Sequence, residues 1–245
     1  MTALTLAAGL LMGRDRLRVR ARGGDWLKIA FLGVADALNV ILFFAAYQRT
    51  SVAIAVLTHY LTPVLVALAA PVVLREPWNV RTLGAVLISM LGLVLLLAPW
   101  SAERHDADLL GAALGAASAV FYASNVVVSK GLVPVFSGSE MAFFHGLLAV
   151  PLLAFLVPHD AWSHVELIGA SWLLLGALLA GATCGLLFVW GLRRVHASNA
   201  SNLTLLEPLV ATVGAAVAFR EPLAPASMAG GALILTGAAV AIMTR

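Results

Sequence analysis

Glu207 is a carboxyl residue in the middle of an apolar segment, directly before Pro208. Asn199 and Asn202 precede it at spacings of i, i+3 and i+8, which place the three side chains on roughly one helix face. Because burial disfavours the charged carboxylate, Glu207 could take up a proton near neutral pH, or it could bind a cationic substrate. The structural alternative is a protonated carboxyl group that bonds a neighbouring helix.

Other polar side chains also interrupt apolar segments, where ionisable groups are costly and need a reason. Asp36 has Asn39 one turn later, and His59 lies one turn before Pro63. His59 could change its charge near physiological pH, or it could form a neutral hydrogen bond. A further pair, three residues apart, could line a cavity: Tyr122 and Asn125. These residues are candidates for substrate binding or coupling, with hydrogen bonds between helices as the alternative.

Motifs for metal binding and for enzyme catalysis do not occur in the sequence. The chain has one cysteine, Cys184, and neither a His-Glu-x-x-His nor a Gly-x-Ser-x-Gly sequence. Asp36 and Glu207 are isolated carboxyl residues and do not form a paired catalytic set. We therefore predict no metal site, no cofactor and no enzymatic activity.

The composition predicts an integral membrane protein. Hydrophobic residues make up 62% of the chain and charged residues 11%, whereas soluble domains are about 45–50% apolar and about 25% charged. The net charge is +3, and mean hydropathy is +0.99. Most basic residues lie in short stretches between apolar segments, so we expect the lipid bilayer, and no nucleic acid, as a partner.

Eight apolar segments are long enough to cross a bilayer, which takes about 20 mostly apolar residues in a helix. They lie at 28–48, 51–74, 80–99, 108–130, 138–158, 168–191, 196–219 and 225–243. Because backbone polar groups must be bonded internally in lipid, these segments predict an all-α membrane bundle. Residues 1–13 form a shorter apolar piece, which we interpret as the second half of a helix.

Basic residues predict the orientation of the spans. The loop at 14–28 is rich in arginine, and loops rich in Lys and Arg face the cytoplasm. Alternation through the spans then leaves only three of the 15 basic residues outside: Arg49, Arg104 and Arg220. This asymmetry predicts a multi-pass protein of the bacterial inner membrane with a cytoplasmic C-terminus.

The two halves of the chain repeat one pattern at an offset of 145 residues. Arg75-Glu76-Pro77 falls on Arg220-Glu221-Pro222, and Pro63 falls on Pro208. Further matches at this offset are Gly92 with Gly237, Arg49 with Arg194, and Thr62 with Glu207. We therefore predict two repeats, residues 1–100 and residues 108–243, of which the first is incomplete at its N-terminus.

A complete repeat would hold five helices, and an odd number gives the two repeats opposite orientations in the membrane. Inverted repeats are typical of secondary transporters, whose site lies at the repeat interface near the midplane. Thr62 and Glu207 would then approach each other across the pseudo-symmetry axis. Pro63 and Pro208 break helices at matching positions, which indicates either a transport site or a packing kink.

The Arg-Glu-Pro corners come directly after apolar spans. Pro77 and Pro222 cannot continue the preceding helix. Glu76 and Glu221 could bond the exposed N–H groups of the next helix, with gating at the two membrane faces as the functional alternative. Small-residue motifs at 111–115 and 181–185 allow close helix approach and leave a homodimer open.

The sequences "YLTPVLVALAAPVVLREP" and "LLEPLVATVGAAVAFREP", each followed by a helix that contains glycine, resemble the EamA-type domains of the drug/metabolite transporter superfamily. The resemblance implies ten helices in two inverted repeats, cytoplasmic termini, and export or exchange of small metabolites. This chain would have eight full helices and one partial helix.

The sequence therefore predicts a transporter of small metabolites or drugs that exports by alternating access, with proton exchange through Glu207 as one means of coupling. Two alternatives remain at this point. One is a membrane-embedded assembly or interaction protein, and the other is a transporter inactivated by truncation.

Overall fold

The computed structural model describes residues 21–101, 107–156, 166–220 and 222–243. The regular structure in these residues is helical. The α-helices are α1 Gly23–Tyr47, α2 Val52–His59, α3 Thr62–Val73, α4 Val80–Leu97, α5 Asp108–Leu132, α6 Gly138–Leu156, α7 Leu167–Gly176, α8 Cys184–Leu192, α9 Ala197–Leu203, α10 Leu206–Phe219 and α11 Pro225–Met243. A 3₁₀ turn at Pro99–Ser101 follows α4, and a π-helical segment at Ala177–Thr183 joins α7 to α8.

Eight helical spans in the described residues are long and apolar enough to cross a membrane, which confirms the predicted all-α membrane bundle. Four of these spans are single helices, and Val80–Ser101 combines α4 with the 3₁₀ turn after it. Three spans consist of consecutive helices: Val52–Val73, Ile168–Leu192 and Ala197–Phe219. The short apolar piece at residues 1–13, and most of the arginine-rich loop after it, lie outside the described residues.

The chain divides into two compact units. Unit 1 comprises Met1–Ala37 and Val128–Arg194, and unit 2 comprises Leu38–Val127 and Val195–Arg245. Each unit combines segments from both halves of the chain. Neither unit therefore coincides with one predicted repeat, and the repeat boundaries stay a prediction.

The core of unit 1 joins the beginning of α1 to the end of α5 and the beginning of α6. Its buried residues are Ile29, Leu32, Leu132, Val133, Phe136 and Met141. The Trp26 ring meets the Phe136 ring edge-on at 5.3 Å, a favourable aromatic geometry. In a reciprocal capping box at the start of α6, the Ser137 N–H donates to Glu140 Oε2 at 2.7 Å and the Glu140 N–H donates to Ser137 Oγ at 3.1 Å.

Unit 2 is held together by a close approach of α4 and α11. A Cβ atom on Gly92 would lie 2.6 Å from the Gly230 carbonyl oxygen, closer than any side chain tolerates. A Cβ atom on Gly237 would likewise clash with Ser89 and with the Ala85 carbonyl oxygen. The two glycines matched by the repeat therefore let the last helices of the two halves pack backbone to backbone.

Two membrane spans of unit 2 are broken just before a proline. The first break separates α2 from α3 at Tyr60 and Leu61, and the second separates α9 from α10 at Thr204 and Leu205. Pro63 is the second residue of α3, a position that tolerates the missing N–H. The structure thus places the two breaks at repeat-related positions.

The first residue of each Arg-Glu-Pro corner has a left-handed backbone. Arg75 has φ 57° and Arg220 has φ 56°, a conformation that costs a residue with a side chain roughly 1–2 kcal/mol. A left-handed residue ends a helix abruptly, which explains why α3 ends two residues before Arg75 and α10 ends one residue before Arg220. Glu221 lies outside the described residues, whereas Pro222 is included.

We predict that Gly92→Ala destabilises the protein by about 1–3 kcal/mol, because the added methyl group must push α11 away. Gly84→Ala, on the same helix, is the matched control, since nothing lies within 4 Å of a Cβ at that position. The midpoints of thermal unfolding in detergent should differ between the two variants. Equal midpoints would show that α4 and α11 do not depend on this contact.

Candidate functional site

The two helix breaks meet in the core of unit 2. Tyr60, from the first break, and Leu205, from the second, belong to one buried cluster together with Leu93, Leu96 and Ile234. Leu93 and Leu96 come from α4, and Ile234 comes from α11. The closely packed helices α4 and α11 therefore support both breaks.

A hydrogen bond links the two broken spans. The Tyr60 hydroxyl donates to Glu207 Oε2 at 2.9 Å, across 147 residues of sequence. Tyr60 is buried and the Glu207 side chain is exposed at the protein surface. Glu207 also lies in the first turn of α10, where the helix dipole is favourable to an acidic group. The carboxyl group is therefore held by unit 2 and is still accessible.

The carbonyl groups that the two prolines leave without an i→i−4 donor are bonded in different ways. The Thr62 hydroxyl donates to the His59 carbonyl at 2.8 Å, in place of the N–H that Pro63 lacks. At the second break, the Glu207 N–H donates to the Thr204 carbonyl at 3.0 Å. Because its backbone makes this bond, the Glu207 carboxyl group is available for Tyr60.

Thr62 is not a hydrogen-bond partner of Glu207. Its side chain is buried, and its hydroxyl bonds the His59 and Ala119 carbonyls at 2.8 and 3.3 Å. The partner of Glu207 is instead Tyr60, two residues earlier. The reason is that Thr62 closes the break on its own side, whereas Tyr60 projects into the shared core.

Aromatic side chains surround His59 beside the first break. His59 stacks on Tyr122 at 5.3 Å with an interplanar angle of 12°, and its ring lies 4.4 Å from the Phe43 ring. Its Nδ1 is 2.8 Å from Ser118 Oγ. The edge of the Tyr60 ring also meets His59, at 5.6 Å. His59, Tyr122 and Glu207 are thus connected through Tyr60.

Asn199 and Asn202 form hydrogen bonds to helices α4 and α11. Both are buried; Asn199 Oδ1 accepts a hydrogen bond from Thr82 on α4 at 3.3 Å, and Asn202 Nδ2 donates to the Gly237 carbonyl on α11 at 3.2 Å. The predicted common face is wrong because the chain breaks between Asn202 and Glu207. Helical spacing does not carry across a break.

Asp36 and Asn39 fall in different units, although one turn separates them. In unit 1, Asp36 Oδ2 lies 3.7 Å from His145 Nε2, and His145 Nδ1 lies 2.6 Å from the Met141 carbonyl oxygen. In unit 2, the buried Oδ1 of Asn39 has no hydrogen-bond partner among the described residues. Asn125 is partly buried on α5, one turn after Tyr122.

Glu76 caps a helix of the other half of the chain. Its two carboxyl oxygens lie 2.9 and 3.1 Å from the Ala197 N–H, at the start of α9, and not at the start of the next helix, α4, which Asn79 caps. A small cleft of about 30 Å³ adjoins this bond, room for about one or two waters. This corner is therefore a structural link and not a substrate pocket.

Sequence reasoning missed Tyr60, Phe43 and Ser118 as members of the site. Tyr60 carried a usable signal, because a phenol three residues before a proline falls inside the expected break. Phe43 and Ser118 carried none, since apolar spans contain many such residues. The described residues contain no group of three or more His, Cys, Asp or Glu side chains that could hold a metal ion.

Known proteins are similar to this chain in sequence and in fold. The chain matches the EamA-like transporter family over residues 1–98 and 109–243. It is similar over its whole length to a protein of known crystal structure, with a TM-score of 0.78 and 25% identity, covering 84% of that protein.

Curated relatives carry transporter names. An uncharacterized transporter of Archaeoglobus fulgidus is 30% identical over 98% of this chain and 94% of the relative. The uncharacterized transporter YxxF of Bacillus subtilis is 26% identical over 77% of this chain and 61% of its own length. The uncharacterized inner membrane transporter YicL of Salmonella typhimurium is 27% identical, over 76% and 62% respectively. The spans, the paired helix breaks and these matches together show that the chain belongs to the EamA-like transporter family.

Proposed function

We propose that this protein exports small organic molecules by alternating access, and that it exchanges them for protons at Glu207. The observation that carries the proposal is the hydrogen bond from Tyr60 to Glu207, which joins two broken membrane helices at their breaks. Transporters commonly place their substrate and ion sites at such discontinuous helices.

The site has the chemistry that this function requires. The Glu207 side chain is exposed, so the protein does not shield it from protons. When Glu207 is charged, the phenol donates to the carboxylate; when Glu207 is protonated, the phenol oxygen can accept instead. Tyr60 therefore remains a partner in both states. A proton and a substrate can then compete for one carboxyl group.

The rings beside the break suit an organic substrate. His59, Phe43 and Tyr122 are each partly exposed, and aromatic faces bind apolar, planar and cationic groups. The site offers a carboxyl group and rings at one helix break, which supports amino acids, nucleosides or organic cations as substrate classes.

The proposal includes two inverted repeats, residues 1–100 and residues 108–243. Separate family matches to the two halves support it, as do the repeat-related breaks and the left-handed arginines at 75 and 220. With the arginine-rich loop in the cytoplasm, the C-terminus is cytoplasmic as well. The name of the Salmonella relative supports the inner membrane, and family membership supports transport over catalysis.

We expect Glu207→Gln to abolish the pH dependence of transport, because Gln has no proton that it can exchange. Proteoliposomes containing the full chain would first be screened with radiolabelled amino acids, nucleosides and organic cations against empty liposomes.

Tyr60→Phe keeps the ring but removes the hydroxyl group. We expect this variant to change the transport rate roughly fivefold, equivalent to one hydrogen bond of about 1 kcal/mol.

Asp25→Asn is the matched control, because Asp25 is an acidic residue at the start of α1 that pairs with Lys28 at 3.5 Å. This variant should keep the wild-type pH profile. Infrared difference spectra upon acidification should show a carboxyl band that Glu207→Gln lacks. An unchanged pH profile in Glu207→Gln would exclude Glu207 as the coupling group, and no transport of any compound tested would contradict export itself.

The inverted arrangement predicts that Trp78→Cys and Leu223→Cys are labelled from opposite sides of the membrane. The two positions match at the repeat offset and are 67% and 39% exposed. Cys184 is exposed, so the background would be Cys184→Ala. A membrane-impermeant maleimide applied to intact cells should label Leu223→Cys, and Trp78→Cys only after permeabilisation. Labelling of both from one side would disprove the inversion.

A further inference from the structure

Five basic side chains gather at one end of unit 1. This end is defined by the core of unit 1, where Phe136 lies between α5 and α6. Ala21, just before α1, and Val189, on α8, pack against this core. The basic side chains at this end are Arg22, Lys28, Lys130, Arg193 and Arg194. Two direct bonds tie the last of these elements together. Lys130 Nζ donates to the Leu192 carbonyl at 2.6 Å, and Arg193 Nη2 donates to the Phe136 carbonyl at 2.8 Å.

Acidic groups at this end do not balance the charge. Asp25 accepts hydrogen bonds from the Arg22 N–H and from Lys28. Glu140 is 3% exposed and is used by the capping box of α6. The described residues at this end thus carry five positive and two negative groups. One of the two negative groups, Glu140, is buried inside the protein. The described residues at this end therefore have a net positive charge, and Arg194 is exposed among them.

Arg194 is arranged to present its guanidinium outward. Its Cζ lies 3.6 Å from the centre of the Trp190 ring, and its Nη1 donates to the Trp190 carbonyl at 2.8 Å. Stacking fixes the plane of the guanidinium, and its remaining N–H donors form the fork that binds phosphate oxygens in pairs. Arg194 is exposed, so this fork is accessible.

The neighbouring surface is that of a membrane interface. Trp190 and Trp26 are 55% and 44% exposed, and tryptophans of this kind lie at the level of lipid headgroups. In addition, the span Ile168–Leu192 ends beside Arg194. No residue in the most apolar stretch of this span is buried inside the protein. An acyl chain can lie along this apolar helix while a phosphate group meets the arginine.

We infer that this end of unit 1 binds the phosphate group of an anionic phospholipid, with Arg194 as the principal contact and Trp190 as its support. The site is independent of the transport site proposed in unit 2. Basic clusters at the ends of membrane helices bind anionic headgroups through attraction of about 1 kcal/mol per basic residue.

The test is a lipid titration of the purified full chain in detergent, followed by native mass spectrometry with phosphatidylglycerol and phosphatidylcholine as probes. The wild type should bind phosphatidylglycerol more tightly than phosphatidylcholine. Arg194→Gln should weaken phosphatidylglycerol binding about fivefold, the effect of one charge. Arg194→Lys should lose part of this affinity, because it keeps the charge and loses the planar fork.

Arg49→Gln is the matched control. Arg49 occupies the repeat position of Arg194, and its Nη1 also donates four residues back, to the Ala45 carbonyl at 3.2 Å. Ala45 stands where Trp190 stands beside Arg194. Replacement of Arg49 should therefore leave the affinity for phosphatidylglycerol unchanged. Circular dichroism would verify that each variant is folded.

Three outcomes would overturn the inference. They are equal affinity for the two lipids, equal loss of affinity in Arg49→Gln and Arg194→Gln, and displacement of phosphatidylglycerol by inorganic phosphate at the same concentration. The last outcome would identify a site for soluble phosphate and not for lipid. Preferential loss in Arg194→Gln alone would support the inference.

Discussion

A proline inside a membrane span leaves a backbone carbonyl without its usual donor, and lipid offers no replacement. In unit 2, this problem arises at both helix breaks, at Pro63 and at Pro208. The protein bonds one carbonyl with the Thr62 hydroxyl and the other with the Glu207 N–H. The architecture of the site depends on this requirement, because each solution fixes where the chain breaks and which side chains face the break.

The two solutions make equivalent positions of the halves chemically different. Thr62 uses its side chain to close its own break, so it is buried and unavailable. Glu207 closes its break with its backbone, so its carboxyl group can reach Tyr60 in the other half. The two positions, which match at the offset of 145 residues, thus hold one buried hydroxyl group and one accessible carboxyl group. Among the described residues, this asymmetry leaves one carboxyl group, that of Glu207, bonded across the two breaks.

Length and hydropathy were sufficient to predict the spans, because the thickness of a bilayer sets the length of a helix. The positions of the breaks followed from the prolines, and the close approach of α4 and α11 is consistent with the matched Gly92 and Gly237. These features depend on local chemistry, so one sequence reveals them. The partners of individual side chains did not follow, since they depend on how each helix is rotated.

Asn202 and Asp36 illustrate this limit. Periodicity placed Asn202 beside Glu207, but the break changes the helical phase, and Asn202 bonds Gly237 instead. For Asp36 the sequence left open a binding site or a hydrogen bond between helices, and nothing in its own segment indicates His145, which is 109 residues away and lies 3.7 Å from it. Contacts between helices distant in sequence require the packing itself. Tyr60 was missed for the same reason, although its position before Pro63 was visible.

The choice of a phenol as the partner of Glu207 is informative in itself. A lysine or arginine would form an ion pair, and a nearby positive charge favours the charged form of a carboxyl group. Among the described residues of unit 2, the arginines lie near the ends of the spans, at Arg49, Arg75, Arg81 and Arg220. The middle of each broken span contains no lysine or arginine. A neutral hydroxyl can donate or accept, so it holds the side chain in place in both protonation states. The arrangement therefore positions Glu207 without fixing its charge, which is the condition that a group must meet if protons and substrate are to exchange there.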